Sequence, residues 1–430
     1  MIFVRRTRGE VFQMRKLKVA VLGWEPPSRG RVTTGAGMYL GYLAELGAFA
    51  RARGRKLSLT FIVPSQWDRL VHREGYRVLF VRIPRFREHR PYDADILYPA
   101  TKRFAERLLG RRSPVDFKKF DVVLANSFAF GELIARSRLD NLVYISHRPE
   151  FLREKFAERF GVRIANKRRL RRDTRLEAKA IENARRTVTV SKACKRELAR
   201  RFDRNYIDVI YNGVDTNLFN RVKCESNGKT VFTYAGRNHP EKGVNLLLRS
   251  VRRVVDRGCS NFELRMLTDD GILLKRAVKR MNLSKYVKLV GWRRLRELPH
   301  YYSSSTFTIM PSYWESFSYA TAEGLACEVP TIVSTAGALR EIVDGEVGLY
   351  FRTGSERELA DRLEKACSCA PDRAAEMGRR GRQRVRLQFS KEAFLNKYLL
   401  YIERFADGVL SKKNIHLSSA QANFRWRVLG

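Results

Sequence analysis

The sequence predicts an α/β protein of two doubly wound domains that face each other across a cleft. A chain of 430 residues is longer than one hydrophobic core usually supports, so two domains are expected. Its composition, 44% hydrophobic and 30% charged, is that of a folded globular protein. Short β-rich segments alternate with helical patterns in two separate series, and this alternation is typical of parallel sheets covered by helices.

The first series begins with Lys18–Gly23, an apolar run that ends in glycine, as expected of a buried strand that leads into a loop. A helical pattern then opens at Gly35 and Gly37. The later segments with a strand pattern are Leu57–Val63, Val78–Ile83, Val122–Ala125 and Leu142–Ser146. We therefore expect a first doubly wound sheet in this half of the chain.

The second series begins near Lys229, after a break rich in Asn, Gly and Asp at Asn212–Asn227. Its predicted elements are the helix Val244–Val255 and the strands Thr230–Ala235, Phe262–Leu267, Val287–Val290, Phe307–Met310 and Thr331–Val333. Residues 388–406 have the pattern of a closing amphipathic helix. The predicted domains are residues 1–211 and 212–387, followed by a helical segment 388–410 that packs back on the first domain and a tail 411–430. We expect residues 1–13 and the tail to be loose extensions.

Several sequence features favour a cytoplasmic protein. No apolar run reaches the ~18 residues that cross a bilayer, and the first residues contain too few apolar side chains for a secretory signal. The six cysteines have no C-x-x-C spacing and no nearby histidine clusters, which favours reduced thiols over disulfides or a zinc site.

The charge is strongly basic, because 85 Lys and Arg outnumber 45 Asp and Glu to give +40. Residues 1–220 contain 48 basic and 23 acidic side chains, so the excess is larger in the N-terminal half. Such a field attracts polyanions, whether nucleic acid, an anionic membrane surface or a phosphorylated substrate. Composition alone leaves these partners open.

Two stretches, Leu97–Arg112 and Phe151–Arg175, combine aromatic side chains with cations. They fit a basic amphipathic face that lies on anionic lipid, and they fit equally well helices with a core stripe and solvated charges. Our hypothesis is that the N-terminal domain docks peripherally on the inner face of a membrane or holds an anionic, lipid-phosphate acceptor.

Two glutamates eight positions apart, Glu315 and Glu323, follow a strand candidate. With Glu315 in the loop after the strand and Glu323 on the next helix, they lie up to ~12 Å apart, which suits one carboxylate at a sugar and the other at a ribose. The start of that helix offers free N–H groups and a positive dipole end to a phosphate. Taken alone, the spacing favours an ordinary acidic helix face.

Two cations, Arg237 and Lys242, stand five positions apart between a strand candidate that ends in glycine and a helix. Fixed cations beside a diphosphate leaving group neutralise the charge that grows as the bond breaks, which is the role of Mg²⁺ in other enzymes. A solvated turn explains the same two residues equally well.

Taken together and in order, these segments resemble the retaining glycosyltransferases of family 4, which have the GT-B fold of two Rossmann-like domains. The matching segments are Thr34–Gly37, Val188–Ser191, Ile210–Phe219, Gly236–Gly243, the pair Glu315 and Glu323, Gly337–Gly348, and the closing helix. The resemblance spans roughly residues 17–406 and is more specific in the C-terminal half than over residues 50–180.

The resemblance implies a site that needs no metal and no cofactor, with a nucleoside diphosphate sugar as donor substrate. Arg237 and Lys242 match the pair that grips the donor diphosphate. Glu323 matches the carboxylate that accepts hydrogen bonds from the ribose hydroxyls. Glu315 matches the residue that meets the donor sugar at the reacting centre, and His147 matches a cleft histidine that contacts the sugar.

The resemblance also assigns main-chain contacts. The N–H groups of Phe317, Ser318 and Tyr319 are expected to meet the sugar or the phosphate. Gly35 and Gly37 are expected to let the N-terminal backbone approach the phosphate, where a Cβ would clash. We expect the base near Gly291-Trp292-Arg293, although Trp292 fits a packing role equally well.

The chain departs from the family pattern at a few positions, which bear on the donor sugar and the phosphate geometry. The glycine pair of the first loop reads Thr34-Gly35, the usual glycine after Glu-Ser-Phe is Ser318, and the expected glycine-rich turn reads Thr268–Gly271. The acidic pairs Asp269-Asp270 and Asp93-Ala-Asp95 have no further ligands nearby in sequence, so we interpret them as surface or capping residues.

The expected reaction moves a hexose from a nucleoside diphosphate sugar to a hydroxyl acceptor with retention of the anomeric configuration. Front-face displacement is the preferred route, and Glu315 as a covalent nucleophile is the lesser option. Two alternatives stay open: a catalytically silent polyanion- or nucleic-acid-binding protein on the same scaffold, and a sugar-nucleotide epimerase of similar fold that needs no acceptor. The intact set Arg237, Lys242, Glu315 and Glu323 argues against loss of the site.

Overall fold

A computed structural model describes residues 15–27, 35–83, 94–161, 164, 166–203, 206–225, 228–269 and 271–408. The predicted extensions at residues 1–13 and 411–430 lie outside these residues. The described part of the chain folds into two sheets that are covered by helices, and this confirms the predicted α/β class with two doubly wound domains.

The first domain contains an eight-stranded sheet with the order β3-β4-β2-β1-β5-β6-β7-β8. Its strands are β1 (Leu17–Leu22), β2 (Leu57–Ser65), β3 (Arg69–Arg73), β4 (Tyr76–Arg82), β5 (Val122–Ala125), β6 (Leu142–Ser146), β7 (Arg186–Thr189) and β8 (Ile207–Val209). Its helices are α1 (Gly35–Arg51), α2 (Ala94–Leu109), α3 (Gly131–Ser137), α4 (Leu152–Phe160), α5 (Lys167–Asn183) and α6 (Lys192–Phe202). Neighbouring strands are parallel except β3, which runs antiparallel to β4 at the sheet edge.

The second domain contains a six-stranded, fully parallel sheet with the order β11-β10-β9-β12-β13-β14. Its strands are β9 (Thr230–Ala235), β10 (Phe262–Leu267), β11 (Val287–Leu289), β12 (Phe307–Met310), β13 (Thr331–Ser334) and β14 (Gly348–Phe351). Its helices are α7 (Val244–Asp256), α8 (Ile272–Arg280), α9 (Leu298–Ser303), α10 (Tyr319–Ala326), α11 (Leu339–Ile342), α12 (Glu356–Cys367) and α13 (Pro371–Gln388). The last helix is α14 (Lys391–Ala406).

Every strand predicted from the sequence is present, with ends that differ by at most two residues. The sequence did not single out β3, β7, β8 or β14 as strands, because these strands are only three to five residues long and carry charged, polar or glycine residues. The closing helix begins at Lys391 rather than at residue 388. The preceding helix continues to Gln388, and the Ser390 side chain then caps the new helix by accepting a hydrogen bond from the Ala393 N–H.

The first sheet is buried on both faces, so successive residues of its central strand enter two different cores. Val19 and Val21 pack with α1 and with the closing helix, whereas Ala20 and Leu22 pack with residues of α2, α3 and α5. This alternation follows from the two-residue period of a strand.

The closing helix rests on the first domain although it follows the second in sequence. Its residues Phe394, Tyr398 and Leu399 belong to the same buried cluster as Val19 and Val21. The chain reaches that position beside the interdomain linker, where the Val214 N–H donates to Phe389 O and the Lys391 N–H donates to Val214 O. Gly213 is required at this crossing, because a Cβ there would lie 2.8 Å from the Lys391 Cα.

Two adjacent leucines of this helix test its packing. We expect Leu399→Ala, which removes a side chain that is 4% exposed, to lower the free energy of unfolding by about 2–5 kcal/mol. Leu400→Ala is the matched control, because Leu400 is 49% exposed and its loss should change stability by less than about 0.5 kcal/mol. Denaturant unfolding followed by circular dichroism measures both, and equal effects of the two changes would contradict the packing described here.

Candidate active site

The reversal point of the second sheet brings the predicted site residues together. Strands β9 and β12 are neighbours, and the chain leaves them toward opposite sides of the sheet. Lys242 follows β9 and Glu315 follows β12, so both lie in loops at the carboxyl ends of adjacent strands. Open parallel sheets bind their ligands in the crevice at such a reversal.

An ion pair joins these two loops. The Lys242 Nζ donates to Glu315 Oε1 at 2.7 Å, and the Ser312 hydroxyl donates to the same oxygen at 2.8 Å. The Lys242 and Glu315 side chains are only 19% and 8% exposed, so each charge depends on the other for compensation. Both contacts fall on Oε1, so among the described residues Glu315 Oε2 has no hydrogen-bond partner.

Glycines fix the backbone around this pair. Gly243 has φ +71°, and a Cβ at this position would lie 2.2 Å from Pro311 O. Gly337 has φ +53°, and its Cβ would lie 2.1 Å from Glu315 O. The Ala338 N–H donates to that same carbonyl at 2.9 Å. Any side chain at either glycine would therefore separate the loops that hold Lys242 and Glu315 together.

Arg237 lies in the same loop as Lys242, but its side chain is exposed and forms no ion pair with any described residue, whereas that of Lys242 is mostly buried and paired with Glu315. The Tyr234 hydroxyl donates to Arg237 O at 2.9 Å and thereby fixes its backbone beside the end of β9. The structure thus brings Lys242 into contact with Glu315 and leaves the Arg237 guanidinium available to an anion.

Glu323 lies on α10 and is buried. The Tyr302 hydroxyl donates to its Oε2 at 3.0 Å, and this is the one hydrogen bond to the carboxyl group among the described residues. Burial raises the pKa of Glu323 to about 7, and the hydrogen bond from Tyr302 offsets only part of that effect. When it is ionised, this carboxyl group can accept further hydrogen bonds from ligand hydroxyls.

The start of α10 has a strained residue. Ser318 precedes the helix with φ +81° and ψ 83°, a left-handed conformation that glycine adopts freely and that costs other residues roughly 1–2 kcal/mol. This geometry accounts for the glycine at the matching position of the family pattern. The side chain of Phe317 is buried in the core, so its main chain alone is available to a ligand. As in any α-helix, the first N–H groups of α10 point out of the start of the helix.

The first domain contributes His147, which follows β6. Its Nε2 is 2.5 Å from Asn126 Oδ1, and its ring contacts Tyr39 edge-on with centroids 4.7 Å apart. Burial lowers the pKa of His147 to about 4, so the imidazole is neutral at pH 7. With Nε2–H donating to Asn126, the lone pair on Nδ1 is an acceptor. Gly35 and Gly37 lie in the first turn of α1, and the loop before them lies outside the described residues.

No sequence pattern indicated the contacts that join the two domains beside the site. Arg148, next to His147, donates to Glu241 Oε1 at 3.1 Å across the cleft, and Glu241 immediately precedes Lys242. The Glu341 carboxylate accepts from the N–H groups of Lys192 and Ala193 at the start of α6, at 2.9 and 2.6 Å. A glutamate of the second domain therefore caps a helix of the first.

Aromatic stacking adds to these cross-domain contacts. Phe156 and Phe160 of α4 stack on Trp314 and Tyr313, each pair with ring centroids 4.8 Å apart. These two residues of the second domain directly precede Glu315. The basic aromatic stretch Phe151–Arg175 thus uses two of its phenylalanines to close the cleft. In the other stretch, Phe104 and Leu108 are fully buried in the core, which favours the interpretation of α2 as a helix with a core stripe.

Two further findings concern the described residues only. Within them, no helix is long and apolar enough to cross a membrane. The same part of the chain contains no group of three or more His, Cys, Asp or Glu side chains that could hold a metal ion. Asp93 and Asp270, one member of each acidic pair noted above, lie outside it.

Comparisons with known proteins cover both domains. A family model described as Glycosyltransferase Family 4 matches residues 41–218, and one described as Glycosyl transferases group 1 matches residues 229–368. An uncharacterized glycosyltransferase of Methanocaldococcus jannaschii is 29% identical over 188 residues, or 43% of this chain and 50% of that protein. An MMP alpha-(1->4)-mannosyltransferase of Mycolicibacterium hassiacum is 27% identical over 308 residues, or 68% of this chain and 72% of that protein. The chain spans about half the length of several curated relatives that it matches.

Solved structures share the arrangement of both domains. Sucrose-phosphate synthase from Thermosynechococcus elongatus superposes with a TM-score of 0.71 at 20% identity, over 91% of this chain and 100% of that one. Anabaena HepE, solved in complex with UDP and glucose, gives a TM-score of 0.62 at 17% identity, over 90% and 99% of the two chains. Since the two family models follow each other along both domains and the fold matches solved two-domain transferases throughout, the chain belongs to glycosyltransferase family 4 and has the GT-B fold.

Proposed function

We propose that this protein transfers a hexose from a nucleoside diphosphate sugar to an acceptor hydroxyl, with retention of configuration and without a metal ion. The observation that carries the proposal is the buried Lys242–Glu315 pair at the reversal point of the second sheet, with the exposed Arg237 in the same loop. A diphosphate bound there meets two fixed cations, which neutralise the charge that develops as the glycosidic bond breaks.

The donor is oriented by groups on both sides of this pair. The first turn of α10 offers N–H groups and a positive dipole end to phosphate or sugar oxygens. Glu323 accepts hydrogen bonds from the ribose hydroxyls. The base lies near Trp292, whose side chain is half exposed rather than packed in the core. A nucleoside diphosphate donor is further supported by Anabaena HepE, which was solved with UDP-glucose.

The reaction itself places the acceptor hydroxyl on the face of the sugar from which the diphosphate leaves. The bond between the anomeric carbon and the β-phosphate oxygen breaks, the acceptor oxygen bonds to that carbon, and the departing phosphate oxygen takes the hydroxyl proton. Glu315 Oε2 is available to a donor-sugar hydroxyl, while Oε1 is bound by Lys242 and Ser312. Because the Lys242 ammonium withdraws charge from this carboxylate, Glu315 as a covalent nucleophile remains the lesser option.

The acceptor side is formed by the first domain. His147 is neutral and presents a lone pair, so it is suited to accept a hydrogen bond from a sugar hydroxyl rather than to supply charge. We expect the acceptor to be anionic or lipid-linked, because the first domain carries the larger excess of basic side chains. A silent polyanion-binding protein and an epimerase stay as alternatives that the following experiment distinguishes.

Turnover of UDP-, GDP- and ADP-sugars in the presence of EDTA tests the proposal. We expect Lys242→Ala and Glu315→Gln each to lower kcat by at least about a hundredfold, since each removes electrostatic support at the transition state. Lys365→Ala and Glu392→Gln are the matched controls, because both side chains are exposed and have no ion pair among the described residues. Thermal unfolding of each variant separates lost catalysis from lost folding.

Three results of that experiment would contradict the proposal. Near-normal turnover in both site variants would remove the assigned roles of Lys242 and Glu315. Loss of activity with EDTA would show that a metal ion is required. Conversion of the nucleotide sugar into its epimer without any acceptor would identify an epimerase.

The raised pKa of Glu323 predicts how donor binding depends on pH. The carboxyl group is protonated below about pH 7 in the free protein, whereas ribose hydroxyls donate to its ionised form. Affinity for an intact nucleotide sugar should therefore increase from pH 5.5 to 8, by up to about tenfold per pH unit below the pKa and little above it. The His147 pKa of about 4 lies below this window and does not contribute.

Isothermal calorimetry of wild type and Glu323→Gln measures this dependence. The diphosphate of a nucleotide sugar does not titrate in this range, so the glutamine variant should bind more weakly at pH 8 and show a nearly flat profile. Identical pH profiles for the two proteins would refute the assignment of Glu323 to the ribose.

A further inference from the structure

One edge of the second domain carries a concentrated positive charge, and outside the loop assigned to the base the proposed reaction does not use it. Residues 271–296 contain nine Lys and Arg and no Asp or Glu. They form α8, the strand β11 and the loop that follows it, and β11 is the edge strand of its sheet. Although the N-terminal half carries the larger total excess, this segment is a separate, wholly cationic surface.

Helix α8 presents apolar and basic side chains together to solvent. Its inner face is formed by Leu274 and Val278, which are buried in the core of the second domain. At its start, Ile272 and Leu273 are 63% and 75% exposed, which is unusual for two adjacent aliphatic residues. The helical period places Arg276 one turn from both, on the same outward face.

The cations of α8 differ from those of the neighbouring α7. On α7, Arg249 and Arg253 pair with Glu356, and Arg257, directly after the helix, pairs with Asp361 and Glu364. By contrast, the α8 residues Arg276, Lys279 and Arg280 are exposed and form no ion pair with any described residue. The arginines of α7 are therefore neutralised within the protein, whereas Arg276, Lys279 and Arg280 of α8 have no countercharge among the described residues.

We propose that this α8 face, defined by Ile272, Leu273, Arg276, Lys279 and Arg280, binds the surface of an anionic lipid bilayer. The two aliphatic side chains enter the interface between headgroups and acyl chains, and the three cations contact the lipid phosphates. A polyanion such as nucleic acid would satisfy the cations but would leave Ile272 and Leu273 in water. The combination of both features selects lipid.

The position of the α8 face relates it to the cleft. Ile272 lies shortly after the carboxyl end of β10. Arg237 and Glu315 follow the carboxyl ends of β9 and β12, so all three lie at the same end of this parallel sheet. Docking through the α8 face brings this end of the sheet near the lipid surface. An acceptor hydroxyl carried by a lipid would be presented there. In the two basic aromatic stretches of the first domain, by contrast, Phe104 is buried in the core, and Phe156 and Phe160 stack on residues across the cleft.

Sedimentation of the full chain with vesicles tests this proposal. The vesicles contain phosphatidylcholine alone or with about 30 mol% phosphatidylglycerol, at low and moderate salt. We expect wild type to bind the anionic vesicles only, more tightly at low salt. The double variant Ile272→Ser/Leu273→Ser and the triple variant Arg276→Glu/Lys279→Glu/Arg280→Glu should each lower the partition coefficient at least about tenfold.

The triple variant Lys167→Glu/Arg168→Glu/Arg171→Glu on α5 is the matched control, since it changes the net charge by the same amount at exposed residues of the first domain. We expect it to lower partitioning less than about threefold. Retained thermal stabilisation by nucleotide sugars shows that the α8 variants are folded and keep their donor site, which separates failure of docking from failure of the proposed transferase.

Any of three results would overturn the docking proposal. The wild type fails to bind anionic vesicles at either salt concentration. The α5 control loses as much binding as the α8 charge variant, which would show that the net charge of the protein, and not the α8 face, attracts it to the vesicles. The serine variant binds vesicles normally while a single-stranded oligonucleotide binds the α8 face with higher affinity, which would assign that face to nucleic acid.

Discussion

The buried ion pair between Lys242 and Glu315 is the interaction on which the geometry of the candidate site depends. An ammonium group mostly removed from water needs a countercharge, and Glu315 supplies it. The pair can form only because β9 and β12 are adjacent and their loops interlock at Gly243 and Gly337. In the proposed reaction the donor diphosphate offers Lys242 a second anion, so the contact with Glu315 also holds the cation in position for a donor.

The first domain completes this site through contacts that bridge the cleft. Arg148 reaches Glu241, the residue before Lys242, and Phe156 stacks on Trp314, the residue before Glu315. Each bridge therefore ends one residue from a member of the ion pair. Closure of the two domains and the geometry of the charged site are linked by the short loops after β9 and β12.

The fold could largely be predicted from the sequence, because buried parallel strands appear as short apolar runs and their helices follow a regular alternation. The site residues could be recognised only through the resemblance of the sequence to glycosyltransferase family 4, because Arg237 and Lys242 by themselves fit a solvated turn. The bridge from Arg148 to Glu241 had no local signal, because its partners are 93 positions apart. The left-handed backbone of Ser318 was likewise unpredictable from residue type, because serine does not favour that conformation.

The net charge, like the site, could be interpreted only in part from the sequence. The composition established an excess of cations but could not show which of them are paired inside the protein. In the structure, the arginines of α7 are neutralised by Glu356 and Asp256, whereas the cations of the α8 face have no countercharge among the described residues. In the stretches that suggested a lipid-facing first domain, Phe104 is buried and Phe156 and Phe160 are stacked, and the exposed pair Ile272 and Leu273 lies on the second domain.

A crystal structure with an intact nucleotide sugar, grown in the presence of EDTA, tests the central claim most directly. The Lys242 Nζ and the Arg237 guanidinium should lie about 2.7–3.2 Å from oxygens of the diphosphate, with Glu315 still beside Lys242. A diphosphate bound away from the loops after β9 and β12, or one that binds only when a divalent ion is supplied, would contradict it.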